Sequence, residues 1–252
     1  MQEVAKLSAI VKTLRAPGGC PWDREQTFLS LIPCIIEEAY ELVDALESGN
    51  INDIIEECGD SLLQVIMLAT IAAETDRFNL GSIADAAAEK MIRRHPHVFA
   101  DKQLNNVNEV LTQWDEIKQT EKTYDSVMDN IPQLPALLKA QKIQKRASKV
   151  GFDWPDTAGA IKKITEETAE FEQALQQQDT HDIEAEAGDL LFAIVNVLRK
   201  ENINAEEALR KANKKFVKRY KKMEQLTPSF NELNLDQKEA LWDQAKKLCQ
   251  AE

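Results

Sequence analysis

The sequence predicts an all-α protein built as two copies of one small helical bundle. Only 8 Gly and 8 Pro in 252 residues leave little material for the turns of a β fold, whereas Ala, Leu, Glu, Lys and Gln abound. Apolar residues recur at helical spacing along much of the chain. The chain also repeats itself: EEAYELVDALESGNINDIIEECGDSLLQVIMLA at 37–69 lies over EETAEFEQALQQQDTHDIEAEAGDLLFAIVNVL at 166–198, with a constant offset of 129 and eleven identities in thirty-three positions.

The elements follow in order. The N-terminal MQEVAKLSAIVKTLR is amphipathic and lacks the pattern of a signal peptide. A first helix carries Leu31, Ile32, Ile35, Ile36, Ala39, Leu42, Val43 and Leu46, and a second carries Ile54, Ile55, Cys58, Leu62, Val65, Ile66 and Ala69. Ser48-Gly49-Asn50 between them reads as the tight turn of an antiparallel hairpin. Further amphipathic stretches fall near 82–94 and 109–120, and again near 205–224 and 235–249 in the second copy. The echo extends beyond the hairpins: Trp22-Asp23 and Thr27 answer Phe152-Asp153 and Thr157, and WDEIK at 114–118 answers WDQAK at 242–246. Between the copies, 119–136 carries the prolines of NIPQLPAL and loses helical periodicity, as a linker would. The expected domains are therefore residues 1–124, and residues 125–252 with the linker at their start.

Charge and cysteines bound the function. With 31 basic against 43 acidic residues the net charge is −12, so stable nucleic-acid binding is not expected. No apolar run approaches the roughly 20 residues that span a bilayer, which argues against a membrane role and for a cytoplasmic protein. The four cysteines are widely spaced, without zinc-ligand spacing, and read as reduced packing residues.

The chemistry lies in the carboxylates. On a helix Glu167 and Glu170 share a face, as do Glu166 and Glu170, and the next helix brings Glu186 and Asp189 three apart. An antiparallel hairpin would make these faces meet, and four or five carboxylates would converge. Uncompensated burial of such a cluster is costly, so it demands a cation, and oxygen-only ligands select a hard one: Mg²⁺, or Mn²⁺. Glu37, Glu38, Glu41, Glu57 and Asp60 form the same pattern in the first copy, a second candidate site. The apolar run after Asp189 is expected to enter the core, which would put the acids at its edge. Gly59 and Gly188, beside the aspartates inside helices, suggest a closely packed neighbour, which could be a helix, a metal or a ligand.

A cation-filled acidic cleft invites a phosphate substrate, and RKANKKFVKRYKK at 210–222 supplies the counter-charges. Lys215 and Arg219 share one helix face and are matched by Lys90 and Arg94. Trp242 and Lys246, echoed by Trp114 and Lys118, could cover a base or hold phosphate. Lys163 stands one turn before the second acidic motif where the first copy has Cys34, and Asn213 stands where it has Ala88; both differences favour the second copy as the working one. His181-Asp182 resembles an HD dyad but answers Asn52-Asp53, and the Glu-x-x-His of di-iron bundles is absent. Walker loops and G-x-S-x-G or G-x-G-x-x-G motifs are likewise missing from the sequence.

E-E-x-x-E followed some fifteen residues later by E-x-x-D resembles the MazG-type all-α nucleoside triphosphate pyrophosphohydrolases. The resemblance covers nearly the whole chain. The opening LRxPGGCPWDxEQTxxSL at Leu14–Leu31 and EKMIRRHPHVF at Glu89–Phe99 are similar to its two-domain bacterial members, while the carboxylate motif is shared with dimeric dUTPases and phosphoribosyl-ATP pyrophosphatases. The resemblance implies Mg²⁺-dependent hydrolysis of nucleoside triphosphates, ATP among them, between the α and β phosphates. It makes Glu167, Glu170, Glu186 and Asp189 metal ligands, Glu166 the residue that orients or deprotonates water, and Lys215 and Arg219 phosphate ligands. It also implies a homodimer, in which helices from two chains complete four-helix bundles. The rival reading is a regulatory protein that binds nucleotide through the metal without turnover.

Overall fold

The computed structural model describes residues 2–121 and 125–251, apart from the side chains of 119 and 251. The chain divides into two compact units, Met1–Lys122 and Thr123–Glu252. The boundary expected at 124/125 falls at residues 122–124, outside the described residues. All regular structure among the described residues is helical, and no helix there is long and apolar enough to cross a membrane.

The first unit contains α1 (Gln2–Arg15), α2 (Pro21–Glu25), α3 (Ile32–Ser48), α4 (Ile51–Ala73), α5 (Leu80–Arg94), α6 (Pro96–Phe99) and α7 (Val107–Thr120). α3 starts with a proline in its first turn, where the missing N–H leaves no bond unmade. It stops at Gly49, whose φ of 72° lies in the left-handed region that glycine enters freely. Asn50 then caps α4 by accepting from the Asn52 N–H. The α3–α4 hairpin is thus written into three consecutive residues. Val11, Leu31, Ile66 and Met67 form the core, so α1 packs along α4 and closes the hairpin from one side.

The second unit contains α8 (Ala136–Lys149), α9 (Thr157–Gln177), α10 (Thr180–Lys200), α11 (Ala205–Leu226) and α12 (Leu235–Ala251). Asp156 caps α9, Asp179 caps α10 and Asn204 caps α11, each accepting from backbone N–H groups of the first turn. α9 and α10 are the counterpart of the α3–α4 hairpin, and α8 packs on α10 as α1 packs on α4. α11 and α12 pair around Met223, Phe230 and Ala245. The amphipathic stretches expected from sequence are all helical; α8 is an addition to them.

Candidate active site

Both hairpins gather carboxylates, though not the same ones. In the first unit Glu38 and Glu41 of α3 meet Glu57 of α4; in the second, Glu167 of α9 meets Glu186 and Asp189 of α10. One ligand oxygen from each residue lies within 4.8 Å of the others in its trio. Asp60 and Glu170 stand close enough to act on these trios electrostatically, since Asp60 raises the pKa of Glu38 and Glu57, and Glu170 is itself raised beside Glu167 and Glu186. The helical offset separates neighbours sharply: Glu167 is 5% exposed, while the Glu166 side chain points largely into solvent.

The acids are held against their own repulsion. Burial pushes Glu57 above the ordinary carboxylate range, and Glu41 and Asp60 push it further; one of its oxygens is buried without a hydrogen-bond partner. Burial does the same to Glu38, followed by Asp60 and Glu41, against a hydrogen bond with Gln64 that opposes it. Glu170 is raised by burial and then by Glu167. An orphaned buried oxygen within an all-oxygen donor set fits a divalent cation, which binds six oxygens at about 2.1 Å when it is Mg²⁺.

The second trio carries a counter-charge that the first lacks among the described residues. Lys163, one turn before Glu167, lies 2.6 Å from it and 2.8 Å from Glu166. These two hydrogen bonds, to Glu166 first and Glu167 second, hold its ammonium well above the usual lysine range. Cys34, at the matching place, brings no charge.

The expected phosphate ligands divide between exposed and half-buried positions. Lys215 and Asn213 are exposed on α11 and Lys90 on α5, while Arg219 and Arg94 are half-buried. Glu186 and Arg219 lie equally far along the chain from the α10–α11 turn. Arg219 lies over the Trp242 ring at 5.6 Å, its Nε has no hydrogen-bond partner, and among the described residues it makes no ion pair. Lys246 is exposed on α12. In the first unit Trp114 packs instead against His95, with ring centroids 5.6 Å apart, and Lys118 shares α7 with it. Arg94 is engaged by Glu121, a residue outside the repeated motifs. Its signal was its position two turns after Trp114, on the same face of α7. Gln64, one turn beyond Asp60, falls outside the carboxylate motif in the same way.

Among the described residues, no atom beyond the glycine's chain neighbours and its own helix backbone lies within 4 Å of a Cβ built on Gly59 or Gly188, so a close neighbour there, whether helix, metal or ligand, comes from outside the single chain. One expectation is corrected. The apolar run after Asp189 only partly enters the core: Ala193 and Val195 are buried, but Leu191, Phe192 and Ile194 are exposed, because a run apolar on every side cannot turn all its faces to one hairpin partner. His181 is exposed at the first turn of α10, where its backbone N–H meets the Asp179 cap.

Residues 26–99 and 157–224, which contain both acidic hairpins, match the MazG nucleotide pyrophosphohydrolase domain. The chain is 42% identical to the nucleoside triphosphate pyrophosphohydrolase of Escherichia coli strain K12, covering 98% of each. It is 44% identical to the nucleoside triphosphate pyrophosphohydrolase/pyrophosphatase MazG of Thermotoga maritima, over 96% of this chain and 94% of that one. A third relative, protein YabN of Bacillus subtilis, is 41% identical over 97% of this chain, which spans 52% of its length. Duplicated acidic hairpins and these matches lead to one conclusion: the chain belongs to the MazG nucleotide pyrophosphohydrolase family.

Proposed function

We propose that the protein hydrolyses nucleoside triphosphates between the α and β phosphates, giving the monophosphate and pyrophosphate, with broad base specificity and with its main activity in the second copy. The observation that carries this reading is the convergence of Glu167, Glu186 and Asp189 from two helices beside Lys163. These three, with Glu170, would hold Mg²⁺ or Mn²⁺, which when bound neutralises the triphosphate and polarises the scissile phosphoryl group. Glu166 orients the attacking water and takes its proton. The water oxygen bonds to the α phosphorus, and the α–β bridging oxygen leaves with pyrophosphate. Lys163 swings from the carboxylates to a phosphate oxygen, Lys215 and Arg219 with Asn213 hold the rest of the chain of phosphates, and Trp242 with Lys246 faces the nucleoside. The exposed apolar surface of both hairpins supports a homodimer that completes the bundles.

Purified protein incubated with mixed nucleoside triphosphates and Mg²⁺ should release pyrophosphate. Orthophosphate in its place contradicts the cleavage position, and binding without release favours the regulatory alternative. Glu167→Gln should lower turnover by about 100-fold or more, the order expected for loss of one electrostatic stabiliser of the transition state. Glu38→Gln should leave most of it. Loss in Glu38→Gln alone would move the activity to the first copy.

A further inference from the structure

The two copies treat their matched arginines differently. Arg219 of α11 lies over an indole ring with its Nε unpartnered. Arg94 of α5 is gripped by a carboxylate: its Nε donates to Glu121 Oε1 at 3.2 Å and its Nη2 to Oε2 of the same group. Arg93 adds a third donor, from Nε at 2.9 Å. The Arg94 and Glu121 side chains are 15% and 17% exposed, so water competes little for either. In the second copy, Cys249 stands the same distance after Trp242 as Glu121 stands after Trp114.

A carboxylate is out of place where Glu121 sits. It is the C-cap residue of α7, where the carbonyl ends of the helix already present negative charge. The helix dipole disfavours it there, and the two guanidiniums are what hold it. The hydrogen bonds from Arg94, and then from Arg93, lower its pKa to about 2, so it keeps its charge through the neutral range. A triphosphate approaching the first copy offers Arg94 the same kind of bidentate acceptor that Glu121 already supplies.

We infer that Glu121 acts as a built-in competitor for phosphate in the first copy, withholding Arg94 from nucleotide, so that triphosphate binds this copy only weakly until the Arg94–Glu121 pair is opened. This rests on the reading of Arg94 as a phosphate ligand. Glu121 is in this sense a positioning residue: it touches the arginine and not the substrate. A role confined to fastening α7 onto α5 would make its removal neutral or harmful to binding, whereas a competitor's removal improves it.

The test uses the full chain carrying Lys215→Gln and Arg219→Gln, which silence phosphate binding by the second copy. Calorimetric titration with Mg²⁺ and a triphosphate bearing an α,β-methylene bridge then reads the first copy. Adding Glu121→Gln should tighten Kd about tenfold, the scale of one hydrogen bond to a charged group. Adding Arg94→Gln to that variant should abolish the gain. An unchanged, weakened or undetectable affinity in Glu121→Gln overturns the inference. If that result comes with weaker binding in Arg94→Gln alone, the arginine is a phosphate ligand but Glu121 is no competitor. A gain that survives Arg94→Gln overturns the phosphate reading of Arg94 and the inference with it. The unmutated chain gives a second measurement that does not depend on how the variants fold. Its Arg94 Nε–H NMR signal should stay in place at nucleotide concentrations that saturate the second copy, and a shift there overturns the proposal.

Discussion

Glu57 presents the electrostatic problem of the acidic site in one side chain. Its carboxyl is raised above its ordinary value of 4.5, chiefly by burial and then by Glu41 and Asp60, and Glu38 is raised for the same reasons. An acid whose folded pKa exceeds its unfolded one binds its proton more tightly in the native state. Its favourable contribution is therefore complete below pH 4.5 and is lost as pH rises through the raised value. A divalent cation replaces the missing proton, and it does so best where the carboxylates are ionised. The expected outcome is that Mg²⁺ raises the melting temperature, against EDTA, more at pH 7.5 than at pH 5.0, and that Glu57→Gln narrows the difference. Thermal melts in the four conditions check this; equal shifts at both pH values would mean that the acids are not the binding site.

At the scale of elements, the two hairpin turns set the same register by different means. Gly49 ends α3 at φ 72°, and Gln178 ends α9 at φ 58°. A side chain in the left-handed region costs about 1–2 kcal/mol, part of which glycine gives back through its freer unfolded chain. Gln178→Gly should therefore stabilise the second unit by about 0.5–1 kcal/mol, a rise of roughly 2–4 °C in its melting temperature. Gly49→Ala should move the first unit the other way, and a calorimetric scan of each variant reads both. The S-G-N turn was legible because it spells out a left-handed stop followed by a cap, whereas QQD in the second copy shows only the cap. Gln144 donates to the Phe192 carbonyl at 2.8 Å, and Gln141 donates to the Ile203 carbonyl while accepting from the Ala205 N–H. α8, which these glutamines fasten, keeps an apolar stripe of Leu137, Ala140, Ile143 and Ala147, but it begins directly after the prolines of NIPQLPAL, which mark a linker and hide where the helix starts. The carboxylate pattern and its pairing across the hairpin could be read from spacing alone. Which three acids of each set meet depends on the rotation of one helix against the other, which the i, i+3 pattern does not fix.

At the scale of the whole molecule, each unit leaves apolar surface that its own hairpin cannot cover. Ile32, Ile36 and Tyr40 follow one another at four-residue spacing along α3 and are exposed; Ile36 is 54% exposed. Ile51 and Ile55 on α4 are 65% and 66% exposed, and Leu191 and Ile194, one turn apart on α10, repeat the situation in the second unit. Isolated exposed leucines mean little, but stripes at helical spacing on the hairpins that carry the acids are another matter. Burying one isoleucine contributes about 1.5–3 kcal/mol, so a few such side chains facing their counterparts on a second chain would favour association strongly. The glycines beside Asp60 and Asp189, with open space around them, would let a partner helix approach the acids closely. The chain should therefore sediment as a dimer, and Ile36→Asp combined with Ile55→Asp should sediment as a monomer while keeping its helical circular dichroism. Pyrophosphate release should fall with the dimer fraction if the partner's helices complete the bundles, and persist in the monomer if each hairpin works alone. A parent chain that sediments as a monomer at micromolar concentration would overturn the dimer and leave the exposed stripes to some other partner.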